Sequence, residues 1–299
     1  MRVLVTGSNG FIGSHVVEWF KKKGCYVIGL GRRETSSFDV DEYVCCDLYS
    51  EDVAHIFEKT SADTVDAIVH LAADMRKEPY TTDVIQNNCV GTQRLLELCR
   101  DKGIPTFVQL SSLPVIGFPR EDLITESHTL RPPTVYHCTK RMQELLADYA
   151  YYTYGVRTAS FRISAPVGPR MNEKTIFPVF VKKALAGEDI TLLGNGTREQ
   201  TYVHVSDIAQ ALYKAILSDK AQGVYNLASY NLVSNRDLAQ MCIDLTGSSS
   251  KIVFSGTPDP SDEHIWNVSL DKIKQDTGYE PEVTTEEMIL EMKEYFLKK

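Results

Sequence analysis

The 299-residue sequence has no excess of positive charge and no long apolar run. Its 40 acidic residues outnumber 32 basic ones, which gives a formal net charge of −8. Binding to nucleic acid or to an anionic membrane surface depends on a basic face that releases counterions, so this charge balance argues against both partners. No apolar stretch approaches the roughly 18 residues that a membrane-spanning helix needs, and no membrane segment is predicted.

The cysteines and histidines lack the spacings that are typical of disulfide frameworks and metal sites. The seven cysteines are an odd number without a Cys-x-x-Cys pair, and the seven histidines are scattered. This use of cysteine is typical of reduced thiols, and the chain opens on a strand pattern without the features of a signal peptide. We therefore expect a cytoplasmic protein that holds no metal ion.

Short β-rich apolar runs alternate with amphipathic stretches through the first two-thirds of the chain. The pattern predicts strands near residues 3–6, 26–30, 67–72, 106–110, 157–163, 202–205 and 224–227. It predicts helices near residues 12–23, 51–59, 84–102, 135–154, 207–217, 235–246 and 285–297. Continuous apolar strands separated by helices indicate βαβ units, so the expected fold class is α/β, a Rossmann-type doubly wound parallel sheet.

A glycine-rich loop lies between the first predicted strand and the first predicted helix. Gly7, Gly10 and Gly13 have the spacing G-x-x-G-x-x-G. The first allows a tight turn, the second lets the backbone approach a pyrophosphate, and the third lets the helix lie close to the sheet. The helix N-terminus then offers free N–H groups to the phosphates of a dinucleotide. The alternative is a glycine-rich turn that binds no ligand.

Two arginines stand where the choice between NAD and NADP is usually made. The second strand runs into Gly31-Arg32-Arg33-Glu34, without a carboxylate for the ribose 2′-hydroxyl. Arginine at this position pairs with a 2′-phosphate, so Arg32 and Arg33 favour NADP over NAD. The alternative is a solvated arginine pair with Glu34 as its partner.

A tyrosine and a lysine lie four residues apart on one predicted helix. Tyr136 and Lys140 therefore share a helix face, and an ammonium group beside a phenol lowers the pKa of the phenol. Upstream, Ser111 and Ser112 end a predicted strand at the edge where α/β sheets place their ligands. A serine there can hydrogen-bond the same substrate oxygen that the tyrosine protonates.

These motifs, in this order, resemble the extended short-chain dehydrogenase/reductase family, the NAD(P)-dependent epimerases and dehydratases to which UDP-galactose 4-epimerase belongs. Further matching stretches lie at residues 46–48, 70–73, 88–92, 168–169 and 203–207. The resemblance implies that Tyr136 is the acid/base group, that Ser112 polarises the reacting C–O group, and that Lys140 binds ribose and lowers the tyrosine pKa. It also implies a homodimer that meets through helices 84–102 and 135–154.

After residue 170 the predicted elements become shorter and more mixed, which predicts a smaller second part of the chain; the motifs and the resemblance together predict the ligand-binding residues. Residues 1–165 are expected to form the dinucleotide-binding domain, with 203–220 returning to it, and 166–202 and 221–299 to form a smaller mixed substrate lobe. The expected cofactor-binding residues are Gly7, Asn9, Gly10, Phe11, Ile12, Gly13, Arg32, Arg33, Asp47, Leu48, Leu71, Ala72, Ala73, Asn88, Ser111, Tyr136 and Lys140. The expected substrate-binding residues are Ser164, Arg170, Arg198 and Gln200.

The sequence departs from the family pattern where the substrate is chosen. Leu113 follows Ser112 where dehydratases carry a Thr-Asp-Glu stretch, so a 4,6-dehydratase is disfavoured. Ala165 replaces the usual asparagine of nucleotide-sugar enzymes, and Gln200 replaces a diphosphate-binding arginine, for which Arg198 or Arg170 is a possible substitute.

Three functions are compatible with these features. The first is an NAD(P)-dependent sugar-nucleotide 4-epimerase, whose small-molecule substrate is a sugar nucleotide. The second is an NADPH-dependent carbonyl reductase that acts on a keto sugar or another carbonyl compound. The third is a non-catalytic NADP-binding sensor, which the complete Ser112, Tyr136 and Lys140 set makes the weakest of the three.

Overall fold

The computed structural model describes residues 1–299 and alternates strands with helices along most of the chain. The strands are β1 (Arg2–Thr6), β2 (Tyr26–Gly31), β3 (Glu42–Cys45), β4 (Ala67–His70), β5 (Thr106–Ser112), β6 (Arg157–Ile163), β7 (Ala165–Val167), β8 (Ile190–Leu192), β9 (Glu199–His204), β10 (Gly223–Leu227), β11 (Leu232–Ser234) and β12 (Ile252–Phe254). The helices are α1 (Phe11–Lys22), α2 (Thr81–Ile85), α3 (Gly91–Lys102), α4 (Val135–Tyr154), α5 (Ile176–Ala186), α6 (Val205–Leu217), α7 (Asn235–Thr246), α8 (Asp271–Thr277) and α9 (Thr285–Leu297).

Seven parallel strands form the large sheet, in the order β10-β6-β5-β4-β1-β2-β3. The chain leaves β1 toward β2 on one side and later returns to β4 on the other, so the direction of winding reverses beside β1. At such a switch point the carboxyl ends of the strands open a crevice that can take a ligand. The predicted doubly wound parallel sheet is therefore confirmed.

Both faces of the large sheet are covered, and strand β1 shows how. Val3 and Val5 point to the apolar core on one face, which includes Phe20 of α1. Leu4 points to the core on the opposite face, which includes Leu95 of α3. Alternate side chains of a strand point to opposite faces, so a strand buried on both faces reads as a continuous apolar run.

Helix α4 has well-defined ends, which matters because it carries Tyr136 and Lys140. The Thr134 side chain accepts a hydrogen bond from the backbone N–H of His137 at the N-terminus. Gly155 follows the last turn with a left-handed φ of 71°, a conformation that glycine adopts without a Cβ penalty.

The smaller lobe contains two short sheets and three helices. Strands β11, β9 and β7 form one sheet and β12 pairs with β8 in the other. A third apolar core, which includes Phe177, Leu238 and Ile289, joins helices α5, α7 and α9. The predicted mixed C-terminal lobe is thus present beside the large sheet.

Strand β10 corrects the expected division of the chain. Residues 221–299 were all expected in the lobe, but β10 pairs in parallel with β6 at the edge of the large sheet. Tyr225 and Leu227 bury their side chains in the core under that sheet, which explains why the strand returns to it. The other boundaries between the two parts stay a prediction.

Two predicted helices differ in detail. The segment Val53–Lys59 forms a 3₁₀ helix, and the predicted helix 84–102 is interrupted by a π-helical turn at Gln86–Val90. Single π-helical turns occur frequently at functional sites. None of the helices combines the length and the apolar character needed to cross a bilayer.

Candidate active site

A cavity of about 810 Å³ opens along the carboxyl edge of the large sheet and reaches the lobe. Its lining includes residues at or just after the ends of β1 to β6, at the switch point identified above. On the side next to the lobe it is lined by Ser164, which follows β6, and by Arg198, Gln200 and Trp266; we call these four residues the lobe wall. One continuous space therefore joins the glycine loop to the lobe.

The glycine loop packs so closely that side chains do not fit. Gly7 has a φ of 68°, and a Cβ atom there would lie 2.8 Å from the backbone nitrogen of Ala72. A Cβ atom on Gly13 would lie 2.1 Å from the Gly7 carbonyl oxygen, so Gly13 brings α1 against the loop and does not itself line the cavity. Gly10 is the N-cap residue of α1 and has no side chain that could accept from the first N–H groups of the helix, so these groups are left for a ligand. These residues fit a dinucleotide pyrophosphate.

Asn9 ties the glycine loop to the loop after β2. Its Nδ2 donates to the Thr35 carbonyl oxygen at 3.0 Å and to the Tyr43 hydroxyl at 3.1 Å, and its Oδ1 accepts from the backbone N–H of Ser37 at 2.8 Å. Arg32 and Arg33 line the cavity beside this loop, are exposed, and form no ion pair with Glu34. The end of the cavity next to β2 therefore carries positive charge that the protein leaves uncompensated.

The remaining predicted cofactor residues also line the cavity. They are Phe11, Ile12, Asp47, Leu48, Leu71, Ala72, Ala73 and Asn88. Oδ1 of Asp47 accepts hydrogen bonds from the backbone N–H groups of Tyr49 and Ser50, which fixes the carboxylate at the turn after β3.

His70 is the centre of a buried hydrogen-bond chain. The Thr6 hydroxyl accepts from two backbone N–H groups of the segment after β4, so its own proton points to Nδ1 of His70 at 2.8 Å. Nε2 of His70 therefore carries the proton and donates to the Thr92 hydroxyl at 2.9 Å, and Thr92 donates to the Asn88 carbonyl oxygen at 2.7 Å. Burial lowers the pKa of His70 to about 3, which keeps the ring neutral.

Asn88 continues this chain to helix α4. Its Nδ2 donates to the Thr139 hydroxyl at 2.9 Å, and Thr139 donates to the Tyr136 carbonyl oxygen at 2.7 Å. The same amide group pairs with both backbone polar groups of Asp74, at 2.7 and 2.9 Å. The Asn88 side chain is thus used to position the cavity wall and the helix that carries Tyr136.

Ser112, Tyr136 and Lys140 line the cavity together. Nζ of Lys140 lies 5.8 Å from the centre of the Tyr136 ring and donates to the Leu110 carbonyl oxygen at 2.9 Å. Burial lowers the pKa of Lys140 to about 8 and raises the pKa of Tyr136 to about 12. The tyrosine pKa is thus raised by burial of the phenol, the opposite direction to the lowering expected from the ammonium group.

Ser111 lines the cavity but its hydroxyl is turned to a buried ion pair. It donates to Oε1 of Glu144 at 2.7 Å. Glu144 is fully buried and forms a bidentate pair with Arg162, at 2.8 and 2.9 Å, and a further bond with Arg141 at 2.8 Å. The expectation that Ser111 binds the cofactor is not supported for its hydroxyl, which is already used to satisfy this charge.

Three of the four predicted substrate residues lie in the lobe wall, and Arg170 does not line the cavity. The backbone of Arg170 is left-handed, with a φ of 71°, and its guanidinium pairs with Glu18 of α1 at 3.0 Å. It also lies 5.0 Å from the centre of the Phe38 ring. These contacts turn Arg170 toward α1, so its assignment to the substrate is wrong for this arrangement.

Several lining residues were not predicted from the sequence. They include Met75, Asn87, Asp74 and Trp266. Asp74 directly follows Ala72 and Ala73, which were predicted to bind the cofactor, and this adjacency could have identified it. Trp266 is one of two tryptophans in the chain, but nothing in its neighbourhood indicates that it returns to the cavity.

Comparison with known proteins agrees with this geometry. A sequence model described as "NAD dependent epimerase/dehydratase family" matches residues 3–228. The chain belongs to the NAD-dependent epimerase/dehydratase family. The relatives and structural neighbours in this family are enzymes of the extended short-chain dehydrogenase/reductase type, which confirms the prediction of an enzyme.

Three relatives of this epimerase/dehydratase family member cover it almost completely. It is 26% identical to a dTDP-glucose 4,6-dehydratase from Streptomyces niveus, over 99% of this chain and 93% of the relative. A UDP-glucose 4-epimerase from Thermotoga maritima, solved with UDP-glucose, is 25% identical with a TM-score of 0.87, and the match covers 100% and 99% of the two chains. A Thermus thermophilus UDP-glucose 4-epimerase, solved with NAD, is 26% identical with a TM-score of 0.83 and 99% coverage of both chains.

The neutral, buried His70 predicts a specific acid sensitivity. As the pH falls from 6.5, an unfolded chain takes up a proton on this histidine, whereas the folded chain with its pKa near 3 does not. The contribution of His70 to the free energy of unfolding is therefore fully present above pH 6.5. It decreases as the pH falls below 6.5, by up to about 1.4 kcal/mol per pH unit. We expect His70→Gln to be less stable at pH 7 and to show a shallower loss between pH 6.5 and 4.

Chemical denaturation at a series of pH values measures this slope. His55→Gln is the matched control, because His55 is exposed and lies outside the buried chain. Identical slopes for the wild type and the His70 variant would contradict the prediction.

Proposed function

We propose that this protein is an NAD(P)-dependent sugar-nucleotide 4-epimerase. The observation that supports the proposal is the position of Ser112, Tyr136 and Lys140 in one cavity, between the glycine loop and the lobe wall. A sugar in this space has proton-transfer groups on one side and a cofactor-binding loop on the other. Epimerisation at a carbinol carbon needs both.

Each of the three side chains has a separate task in this proposal. Tyr136, with a pKa of about 12, is protonated at neutral pH and is the group that gives a proton to, or takes it from, the reacting sugar oxygen. The Ser112 hydroxyl, which makes no hydrogen bond within the protein, polarises the same oxygen. Lys140 is anchored on the Leu110 carbonyl oxygen and holds positive charge beside the phenol ring. Bound NAD(P) supplies the hydride acceptor and donor.

The cavity lacks the acid that dehydration needs, which favours epimerisation. Elimination of water needs an acid that protonates the leaving hydroxyl. Asp47 and Asp74 are the carboxylates that line the cavity. Asp47 lies after β3 at the far edge of the sheet, and the Arg76 guanidinium holds the pKa of Asp74 well below its usual range. Neither supplies a neutral acid beside Ser112, although dTDP-glucose 4,6-dehydratases are among the relatives.

Replacement of Tyr136 tests the proposal directly. Tyr136→Phe removes the proton carrier and keeps the ring, so we expect interconversion of UDP-glucose and UDP-galactose to fall by about 10²- to 10⁴-fold while NAD(P) binding persists. Turnover is followed by chromatography of the sugar nucleotides, and binding by calorimetry.

Tyr230→Phe is the control for this variant. It removes an exposed hydroxyl that contacts Glu280, outside the cavity, so its turnover should equal that of the wild type. Full activity in Tyr136→Phe would refute the assignment.

A second candidate, an NADPH-dependent carbonyl reductase, is favoured by the arginine pair. Arg32 and Arg33 line the cavity and lack carboxylate partners, which suits the 2′-phosphate of NADP. A reductase exchanges this cofactor at every turnover, whereas an epimerase returns the hydride to the same substrate. Stoichiometric oxidation of NADPH by a keto sugar, without interconversion of UDP-hexoses, would establish the reductase in place of the epimerase.

The preference for NADP over NAD can be tested whether the protein is an epimerase or a reductase. The double variant Arg32→Ala/Arg33→Ala should raise the Kd of NADPH by about 10- to 100-fold, the range of a lost charge-assisted contact, and leave that of NADH within a factor of two. Fluorescence titration with each nucleotide measures both constants. An equal change for NADPH and NADH would contradict the assignment of the arginines to the 2′-phosphate.

We also propose that the protein forms a homodimer through helices α2, α3 and α4. Four exposed side chains of α4, Met142, Leu145, Tyr149 and Tyr152, recur at helical spacing and form an apolar stripe. Ile85 at the end of α2 and Val90 at the end of the π-helical turn before α3 are also exposed. Contiguous apolar side chains that stay exposed on a protein surface often mark an interface.

A charge in the stripe should separate the subunits. Leu145→Glu places a carboxylate in the proposed interface, and we expect sedimentation velocity at micromolar concentration to show a monomer where the wild type is a dimer. Leu297→Glu is the control, since Leu297 is also exposed but lies at the end of α9. A dimer in both variants would place the interface elsewhere.

A further inference from the structure

Arg170 has an unfavourable conformation, although it lies outside the cavity. Its φ of 71° is the one left-handed backbone conformation in the chain that is not adopted by a glycine. Such conformations persist in residues with a Cβ atom only where the surrounding contacts impose them, and they cluster at functional sites. Nε of Arg170 is also closed to solvent and has no hydrogen-bond partner. The contacts that hold this side chain therefore compensate for two unfavourable features.

The turn that carries Arg170 is fixed on helix α1. The Pro169 carbonyl oxygen accepts a hydrogen bond from Nε2 of His15 at 2.8 Å. The Arg170 guanidinium donates to Glu18 at 3.0 Å, about one turn further along the same helix. Both members of this ion pair are partly exposed, so the pair itself contributes little to stability. Its effect is to fix the direction of the Arg170 side chain.

The guanidinium of Arg170 lies against the loop that follows β2. Its central carbon is 5.0 Å from the centre of the Phe38 ring, a distance at which an aromatic face attracts a cation. Phe38 is partly buried and packs against the apolar core between the large sheet and α1. It ends the segment 32–38, which we call the arginine loop because it begins with Arg32 and Arg33. A turn after β7 thus supports the loop that carries both cavity arginines.

The rest of the arginine loop is held through its backbone. The Arg33 carbonyl oxygen accepts from the Tyr43 hydroxyl at 3.0 Å, and the Asn9 side chain pairs with backbone groups of Thr35 and Ser37. The two arginine side chains at the start of the loop stay exposed. A loop that is already ordered in its bound conformation binds more tightly, because less conformational entropy is lost on binding.

We propose that Arg170 positions the arginine loop for the 2′-phosphate of NADP and is thereby a determinant of cofactor preference. Arg32 and Arg33 line the cavity and Arg170 does not, so Arg170 acts through the loop and not by contact with the nucleotide. The inference rests on the proposed assignment of Arg32 and Arg33 to the 2′-phosphate. It makes Arg170 a positioning residue for the cofactor, in place of the substrate-binding role expected from the sequence.

Replacement of Arg170 by glycine separates positioning from stability. Glycine adopts a left-handed φ without a Cβ penalty, so Arg170→Gly relieves the backbone while it removes the contacts with Glu18 and Phe38. We expect thermal unfolding to change little and the Kd of NADPH to rise by about 3- to 10-fold, the cost of ordering the loop on binding. The Kd of NADH should stay within a factor of two, because NADH has no 2′-phosphate. Fluorescence titration measures both constants, and an equal change for the two nucleotides, or none, would overturn the proposal.

A second variant and a matched control complete this test. Phe38→Leu removes the aromatic face but keeps an apolar side chain, and it should raise the Kd of NADPH selectively, by about 2- to 5-fold. It keeps the test valid if Arg170→Gly does not fold. The control is Arg100→Ala, because Arg100 also lies 5.0 Å from an aromatic ring, that of Tyr154, and pairs with Asp101 at 2.7 Å. Arg100 lies near the end of α3 outside the cavity, so neither nucleotide constant should change.

A combined variant shows whether Arg170 acts through the two cavity arginines. In the Arg32→Ala/Arg33→Ala background, the further change Arg170→Gly should leave the Kd of NADPH unchanged, because residues that act as one unit are not additive. If Arg170→Gly raises the Kd as much in this background as in the wild type, it acts independently of the arginines and the proposal is wrong.

The outcomes separate this inference from the proposed function. If Arg32→Ala/Arg33→Ala weakens NADPH selectively but Arg170→Gly and Phe38→Leu bind both nucleotides like the wild type, the inference is wrong and the arginine assignment stands. If none of these variants discriminates between NADPH and NADH, both are wrong. Nucleotide binding is measured without a sugar nucleotide, so a failure to epimerise UDP-glucose would refute the proposed 4-epimerase and leave the inference intact.

Discussion

The active site depends on one buried chain of hydrogen bonds that begins at Thr6 and ends at the backbone of Tyr136. It passes through His70, Thr92, Asn88 and Thr139, each contributed by a different turn, strand or helix. Its members are buried and their polar groups are paired within the protein, so a shift of any member leaves a buried polar group unpaired. The glycine loop and the helix that carries Tyr136 are thereby held at a fixed distance across the sheet.

Packing constraints act at the two ends of this chain. At the loop, Gly13 lies so close to the Gly7 carbonyl group that a side chain at this position would push α1 away from the loop. At the helix, the pair of Glu144 and Arg162 joins α4 to β6, and Ser111 extends it to β5. Removal of one partner of such a buried ion pair strongly destabilises a protein, because the other charge stays buried without compensation. The pair therefore holds α4 in one position against β6. The phenol of Tyr136 and the ammonium of Lys140 owe their positions to these contacts.

Most of the large sheet was predictable because its strands are buried on both faces. Strand β6 and helix α4 have the predicted bounds, and the glycine loop and the Tyr136–Lys140 pair lie where their spacing indicated. Strand β10 was assigned to the lobe because pairing with β6 is a long-range contact that no local pattern reveals. The same limit applies to Ser111 and Arg170, whose partners Glu144 and Glu18 are 33 and 152 residues away.

The sequence by itself determined most strands of the large sheet, the helices between them, the phosphate loop and the residue types that carry proton transfer, because these follow from periodicity and short spacing. The tertiary structure decided which side chains line the cavity, which of them are protonated and which have a hydrogen-bond partner. Burial raised the pKa of Tyr136 against the expected effect of Lys140, and it left one polar side-chain atom of Trp266 and one of Ser164 without a partner in the protein. Desolvation depends on everything packed around a group, and that environment is assembled from segments far apart in the chain.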